Sequence, residues 1–188
     1  VGINPTRTGV IDILRMMGAD ITITNEAFVG GEPVADITIR SALLHGIDIP
    51  ESLVPLAIDE FPILFIAASC AIGPTRLTGA KELRVKESDR ISAMAEGLTT
   101  LGVTCEVTED GIIIAGLSEA VALRQPSVFS GGRVSCHRDH RIAMSFAIAS
   151  LRAADTIIID GVESVNTSFP NFSERANQAG LSIAIKSA

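Results

Sequence analysis

The sequence has no tryptophan and no tyrosine, and seven phenylalanines supply all of its aromatic character. Platforms for stacking bases are therefore scarce. Cations are outnumbered 15 to 22, a net charge of −7, which argues against a nucleic-acid coat or a generic membrane-surface binder. Cysteine is limited to Cys70, Cys105 and Cys136, an odd number at wide spacing that does not read as a disulfide framework. No basic stretch followed by an apolar run opens the sequence, so a reducing, cytoplasmic setting is expected. The longest charge-free run around the most apolar segment, Phe61 to Thr75, falls short of the roughly 20 apolar residues that span a bilayer, and no membrane span is expected. What is present is a globular composition: 188 residues, 47% apolar and 20% charged, enough for one domain with a sizeable core.

An internal repeat organises the chain. Three segments read as amphipathic helix, glycine turn and alternating strand: Ile11 to Ile23, Ile91 to Val107, and Phe172 to Ile185. Their glycines, Gly18, Gly102 and Gly180, are 84 and 78 residues apart and suit the left-handed position that ends a helix. Ser88 is the expected cap of the second helix, and Thr167 or Ser168 that of the third, with Pro170 in its first turn. Residues 60–72 and 142–151 are apolar on all sides and predict buried helices, Asp59 to Ile72 and Asp139 to Leu151, lying side by side. Strands are expected at Thr75 to Gly79 and Thr156 to Asp160, with further ones at Asp36 to Ile39 and Ile112 to Ala115. Gly46 to Pro55 and Gly116 to Arg133, the latter holding Pro126 and Gly131-Gly132, read as linkers.

The resulting expectation is a single α/β domain over 1–188, with a partial unit 1 over 1–45, unit 2 over 55–115 and unit 3 over 134–187. Unit 1 lacks its buried helix, so about forty residues are expected upstream of Val1.

The cations are clustered. Arg76, Lys81, Arg84, Lys86 and Arg90 lie within 76–90, and Arg133, Arg138 and Arg141 within 133–141, beside His137 and His140. Cations gathered where helices begin oppose the helix dipole and one another, which disfavours stability and favours a bound polyanion. In the run Lys86-Glu87-Ser88-Asp89-Arg90, spacings of three and four place Lys86, Glu87 and Arg90 on one helix face. Glu87 there suits either an acid/base role beside an anion or an ordinary salt bridge. Asp59 suits either a helix cap or a functional carboxylate, and Asp139 a cap. Cys136, His137 and His140 are ligand types without a fourth partner nearby, so no metal is expected. Cys70 reads as core, and His45 as structural or solvated.

Five motifs occur in order: NPTRTG at 4–9, DEFP at 59–62, LRVKESDR at 83–90, DHRIAM at 139–144 and TSFP at 167–170. Together they resemble the 5-enolpyruvylshikimate-3-phosphate synthases, the 3-phosphoshikimate 1-carboxyvinyltransferases. The RVKESDR segment separates that family from the related transferase acting on UDP-N-acetylglucosamine. The resemblance implies an inside-out α/β barrel of βαβαββ units around buried helices, with this chain as most of the C-terminal domain and the N-terminal domain absent. It implies transfer of the enolpyruvyl group of phosphoenolpyruvate to the 5-hydroxyl of shikimate 3-phosphate, in the pathway to chorismate and the aromatic amino acids, with no metal or organic cofactor. By motif, Asp59 corresponds to the aspartate that deprotonates the hydroxyl, and Glu87 to the acid/base at the methylene carbon. Lys86 corresponds to the lysine touching both substrates, Arg90 and Arg141 to the clamp on phosphoenolpyruvate, and His140 to a site-lining histidine. Thr167 stands where many members carry a substrate-contacting lysine. An isolated chain of this kind is expected to be inactive.

Two other classes remain open. A non-catalytic anion-binding module of the same fold gains nothing from both Asp59 and Glu87. An RNA-binding or RNA-end-processing protein is disfavoured by the acidic balance and the missing Tyr and Trp.

Overall fold

Helices that are apolar all round have no face to give to water, and the fold is built around two of them. The computed structural model describes residues 1–124 and 127–186. Pro126 and the last residue of the expected unit 3, Ser187, lie outside the described residues. In chain order the elements are α1 (Gly9–Met16), β1 (Asp20–Val29), β2 (Glu32–Arg40), α2 (Phe61–Ser69), β3 (Thr75–Leu77), α3 (Arg90–Thr100), β4 (Cys105–Val107), β5 (Ile112–Ile114), α4 (Glu119–Ala122), β6 (Gly132–Ser135), α5 (His140–Ala149), β7 (Ile157–Asp160), α6 (Val165–Ser168) and α7 (Phe172–Gln178). Short 3-10 turns join several of them, notably Pro5–Arg7, Pro55–Ala57 and Lys81–Val85.

The buried helices α2 and α5 pack against each other, as their composition predicts. Phe61, Leu64, Phe65 and Ile66 of α2 and Ile142, Phe146 and Ala149 of α5 join one core with Ile91, Met94 and Leu98 of α3. No helix among the described residues is long and apolar enough to cross a membrane.

Around these helices stand three small sheets: β1-β2, β3-β5-β4 and the parallel pair β6-β7. In the second sheet the last strand, β5, lies between the first and the middle ones. The N-terminus repeats that arrangement, because Val1–Ile3 bonds to Pro33 and Ala35 of β2 while β1 occupies the other edge. The repeat glycines are equivalent bond for bond. Gly18, Gly102 and Gly180 have φ of 96°, 89° and 104°. Each donates to the carbonyl three residues back, and each following residue (Ala19, Val103, Leu181) to the carbonyl five back. This double closure needs a left-handed residue, which glycine adopts without a Cβ clash.

Several expectations are corrected. Residues 181–186 form no strand despite their alternation: no neighbour among the described residues offers a ladder, and the Asn177 side chain takes both the N–H (2.7 Å) and the C=O (3.0 Å) of Ile183. Thr167 and Ser168 lie inside α6, Pro170 falls between α6 and α7, and α7 is entered through Asn171 in a left-handed conformation. Asp89 rather than Ser88 caps α3, accepting from the Ser92 N–H at 3.0 Å. The linker at 116–133 contains α4 and the start of β6, whose four residues bury only Val134 and so show no alternation.

Candidate active site

The site forms where the entries to α2, α3 and α5 meet, and Arg90 is its centre. This first residue of α3 is only 1% exposed. Its Nε donates to Asp139 Oδ2 (2.8 Å), its Nη1 to Asp59 Oδ1 (3.2 Å) and its Nη2 to Glu87 Oε2 (2.6 Å). Burial alone would lower the guanidinium pKa; Asp139, Glu87 and Asp59 outweigh it and raise it.

The RVKESDR motif assigns its polar residues separately. Arg84 donates to Asp89 Oδ2 (2.7 Å) and to the carbonyls of Thr108 and Glu109, which fixes the capping carboxylate. Lys86 and Glu87 precede the helix rather than lying on it, because the chain is extended at Lys86 and α3 starts only at Arg90. Lys86 is therefore paired with Glu82, and Glu87 reaches Arg90 from outside the helix. Ser88 donates its hydroxyl to Asp139 Oδ2 at 3.2 Å, which explains why it does not cap α3.

Asp59 is not a helix cap either. Glu60 occupies that position without a side-chain bond to the helix N–H groups, and Pro62, near the helix start, has no N–H to be capped. The Asp59 carboxylate turns to arginines instead: beyond Arg90 on Oδ1, its Oδ2 lies 3.5 Å from Arg141 Nη2 and 3.7 Å from Arg7 Nη1. Burial raises the pKa of this carboxyl, but Arg141, Arg90 and Lys86 prevail and hold it below its ordinary value. It is a poised carboxylate with one oxygen, Oδ2, not taken by any hydrogen bond among the described residues.

Arg141, the second residue of α5, donates through Nη1 to the Asp59 carbonyl (2.9 Å) and to Glu60 Oε1 (3.2 Å). Asp139 caps α5 by accepting from the Arg141 N–H at 2.9 Å, as expected, and also carries Arg90. His140 is half-buried at the first position of α5. A cavity of about 150 Å³ opens beside the cluster, with Asp59, Glu60 and Arg141 on its polar wall and Pro62, Ile63 and Met144 on its apolar one.

The structure thus joins Asp59, Lys86, Glu87, Arg90 and Arg141, with His140 at the edge. Thr167 is exposed on α6 and makes no hydrogen bond to this group. The wider cation cluster does not converge. Arg76, Lys81 and Arg133 are paired with Asp48, Glu109 and Asp160, acidic partners brought in by neighbouring strands and turns. Cys136 and His137 diverge as well: the thiol donates to the Gly161 carbonyl (3.0 Å) and the imidazole faces Glu96 (3.3 Å). No group of three metal-ligating side chains is gathered among the described residues. Sequence reasoning missed Arg7 and Glu60 and saw Asp139 only as a cap. Arg7 lay in plain view within the NPTRTG motif.

The sequence model described as EPSP synthase (3-phosphoshikimate 1-carboxyvinyltransferase) matches residues 1–176. The chain belongs to the EPSP synthase family. Relatives called 3-phosphoshikimate 1-carboxyvinyltransferase include one from Alkalilimnicola ehrlichii, 62% identical over 97% of this chain and 39% of its own length. Another, from Halorhodospira halophila, is 61% identical over 98% of this chain and 40% of its own length. The solved structure of EPSP synthase from Acinetobacter baumannii is 59% identical and superposes with a TM-score of 0.95, covering all of this chain and 42% of that one. The chain therefore spans about two fifths of the EPSP synthases it matches, and its mixed helices and sheets are the fold of the corresponding part of that enzyme.

Proposed function

We propose that this chain is the part of an EPSP synthase that carries the acid/base groups for enolpyruvyl transfer from phosphoenolpyruvate to the 5-hydroxyl of shikimate 3-phosphate, in the pathway to chorismate. The observation that carries the reading is that one buried arginine, Arg90, anchors both Asp59 and Glu87, two carboxylates distant in sequence. Simple anion binding gains nothing from such a pair.

Asp59 is held ionised and keeps Oδ2 available, so it takes the proton of the attacking hydroxyl. The oxygen bonds to C2 of phosphoenolpyruvate while Glu87 delivers a proton to the methylene carbon. In the second half the proton returns from that carbon to Glu87, the C2–O bond to the phosphoryl group breaks, and phosphate leaves with the proton that Asp59 had taken from the hydroxyl. Arg141 holds phosphoenolpyruvate, for whose carboxylate and phosphate a planar fork is suited; Arg90, expected beside it, is buried with its donors on Asp139, Asp59 and Glu87 and holds the acid/base groups instead. Lys86 and His140 line the same space, while Thr167, expected as a further contact, is exposed on α6 apart from it.

Around Asp59, the cations Arg7, Lys86, Arg90 and Arg141 face the carboxylates Asp59, Glu60, Glu82, Glu87 and Asp139, four positive charges against five negative. Two polyanions need more positive charge than that. The remaining three fifths of the enzyme, an N-terminal domain closing over this face, supplies it and excludes water. The isolated chain is accordingly expected to release no phosphate from the two substrates, and adding the N-terminal part to restore release.

The deciding experiment is Glu87→Gln in the whole enzyme that contains this chain. Shape is kept and the proton removed, so turnover should fall about a hundredfold to ten-thousandfold. Shikimate 3-phosphate affinity should change far less. Near-normal turnover, or solvent deuterium entering the methylene group at the parent rate, would assign the proton to another residue, with Lys86 next in line.

A further inference from the structure

Four cations surround Asp59, and three are committed. Arg90 gives its donors to three carboxylates, Arg141 binds the Asp59 carbonyl and Glu60, and Lys86 is paired with Glu82. Arg7 differs. Its guanidinium makes no hydrogen bond among the described residues; its single contact is the 3.7 Å ion pair to Asp59 Oδ2, and its side chain is 72% exposed. Nor is it among the main charges that keep Asp59 ionised, which are Arg141, Arg90 and Lys86.

Yet the backbone beneath Arg7 is firmly built. Asn4 Oδ1 accepts from both the N–H (3.1 Å) and the hydroxyl (2.8 Å) of Thr6, and the Arg7 N–H closes the 3-10 turn onto the Asn4 carbonyl (2.9 Å). Pro5 presets the first φ of that turn, and Asn4 Nδ2 ties it to Glu32 of β2. Gly9 seats it: a Cβ there would lie 2.8 Å from Leu56, so the turn rests directly on the Pro55–Ala57 turn, two residues ahead of Asp59. A rigid mount, free donors and a place against the reacting carboxylate are what a ligand-facing arginine requires.

We propose that Arg7 is a further anion-contacting residue of this site, presenting its guanidinium fork to the phosphate of a phosphate-monoester substrate. The identity of the ester, phosphoenolpyruvate or shikimate 3-phosphate, rests on the function proposed above; the anion contact rests on the geometry of Arg7.

The test is calorimetric titration of the whole enzyme that contains this chain with phosphoenolpyruvate, shikimate 3-phosphate and inorganic phosphate, comparing the parent with R7Q, R7K, R40Q and R141K. Circular dichroism checks that each variant is folded. R7Q should weaken at least one ester about tenfold, and R7K should lie between R7Q and the parent because it keeps charge without the fork. The ester that loses affinity names the source of the phosphate, and equal loss for all three ligands places the contact on phosphate alone. R40Q removes an exposed arginine paired with Asp20 on the hairpin and should change nothing. Parent affinity in R7Q overturns the proposal, and so does a loss in R40Q equal to that in R7Q, which would mean bulk charge. Weakening in R141K with none in R7Q leaves the proposed function standing and removes Arg7 from it. A parent enzyme that binds neither ester overturns the proposed function and the Arg7 contact together.

Discussion

At the scale of single residues, the site depends on an ion pair that water does not reach. Arg90 is 1% exposed and Asp139 is not exposed at all. Asp139→Ala leaves the Arg90 Nε without its acceptor while Asp59 and Glu87 still balance the charge, so it should destabilise the chain by about 1–3 kcal/mol in urea unfolding. The double change Asp139→Leu with Arg90→Met strands nothing at that contact and should cost less than the two single changes summed. Additive losses would mean that the two residues act independently. Acid acts on a different pair. Asp59 and Asp89 have folded pKa values below the ordinary value: burial raises each, but Arg141, Arg90 and Lys86 outweigh it for Asp59, and hydrogen bonds from Ser92 and Arg84 for Asp89. For a depressed carboxyl the stabilisation is complete above the unfolded value, about pH 4, and disappears as pH falls through the lower folded value. Urea midpoints should therefore hold down to about pH 4 and drop below it, and Asp89→Asn should flatten part of that drop.

At the scale of elements, one contact reverses a familiar sign. Gly97 sits inside α3, where alanine normally gains about 1 kcal/mol over glycine. A Cβ at Gly97 would lie 2.3 Å from the Phe146 ring of α5, so the glycine is what lets α3 reach the central pair. Gly97→Ala should cost about 1–3 kcal/mol as overpacking, and Phe146→Leu should recover part of it. A stabilised Gly97→Ala chain would show that α3 does not rest on that ring. The same elements show what the sequence could disclose. The buried helices were legible because residues 60–72 and 142–151 are apolar on every side, and the helix ends because only glycine takes the closing turn cheaply. Helix entries were not, because the caps at α2 and α3 were decided by tertiary partners: Asp59 turned to three arginines and Ser88 to Asp139. The missing strand at 181–186 has the same cause, since alternation describes a strand but cannot supply its neighbour.

At the scale of the molecule, the site was half legible. Motif spacing brought Lys86, Glu87 and Arg90 together on paper, but no spacing connects Asp59 with Arg141 or Arg7. Those meetings arise from α2 and α5 lying side by side and from the turn at Pro5–Arg7 resting on the one at Pro55–Ala57. The burial they create is testable through thiols. Cys136 has no exposed surface, and burial pushes its thiol pKa up, so it should resist alkylation at neutral pH until the chain unfolds. Labelling of Cys136 in the native chain at the rate of a free thiol would contradict this packing.

The paths between repeat units also meet at one place. Ile72, just beyond α2, bonds to the Leu44 carbonyl and accepts from Gly46, while Leu117, beyond β5, bonds to the Ala71 carbonyl and accepts from Gly73. Segments that leave two different units are thus laced to one three-residue stretch, Ala71 to Gly73, at the end of a buried helix. Such a knot removes the option of piecemeal melting. The amide protons of Gly46, Ile72, Gly73 and Leu117, although they belong to connecting segments, should exchange with solvent only when the whole chain opens, at the pace of those in the middle of α3. Loops are where a domain ordinarily begins to come apart; here they are the seam that makes the units rise and fall as one.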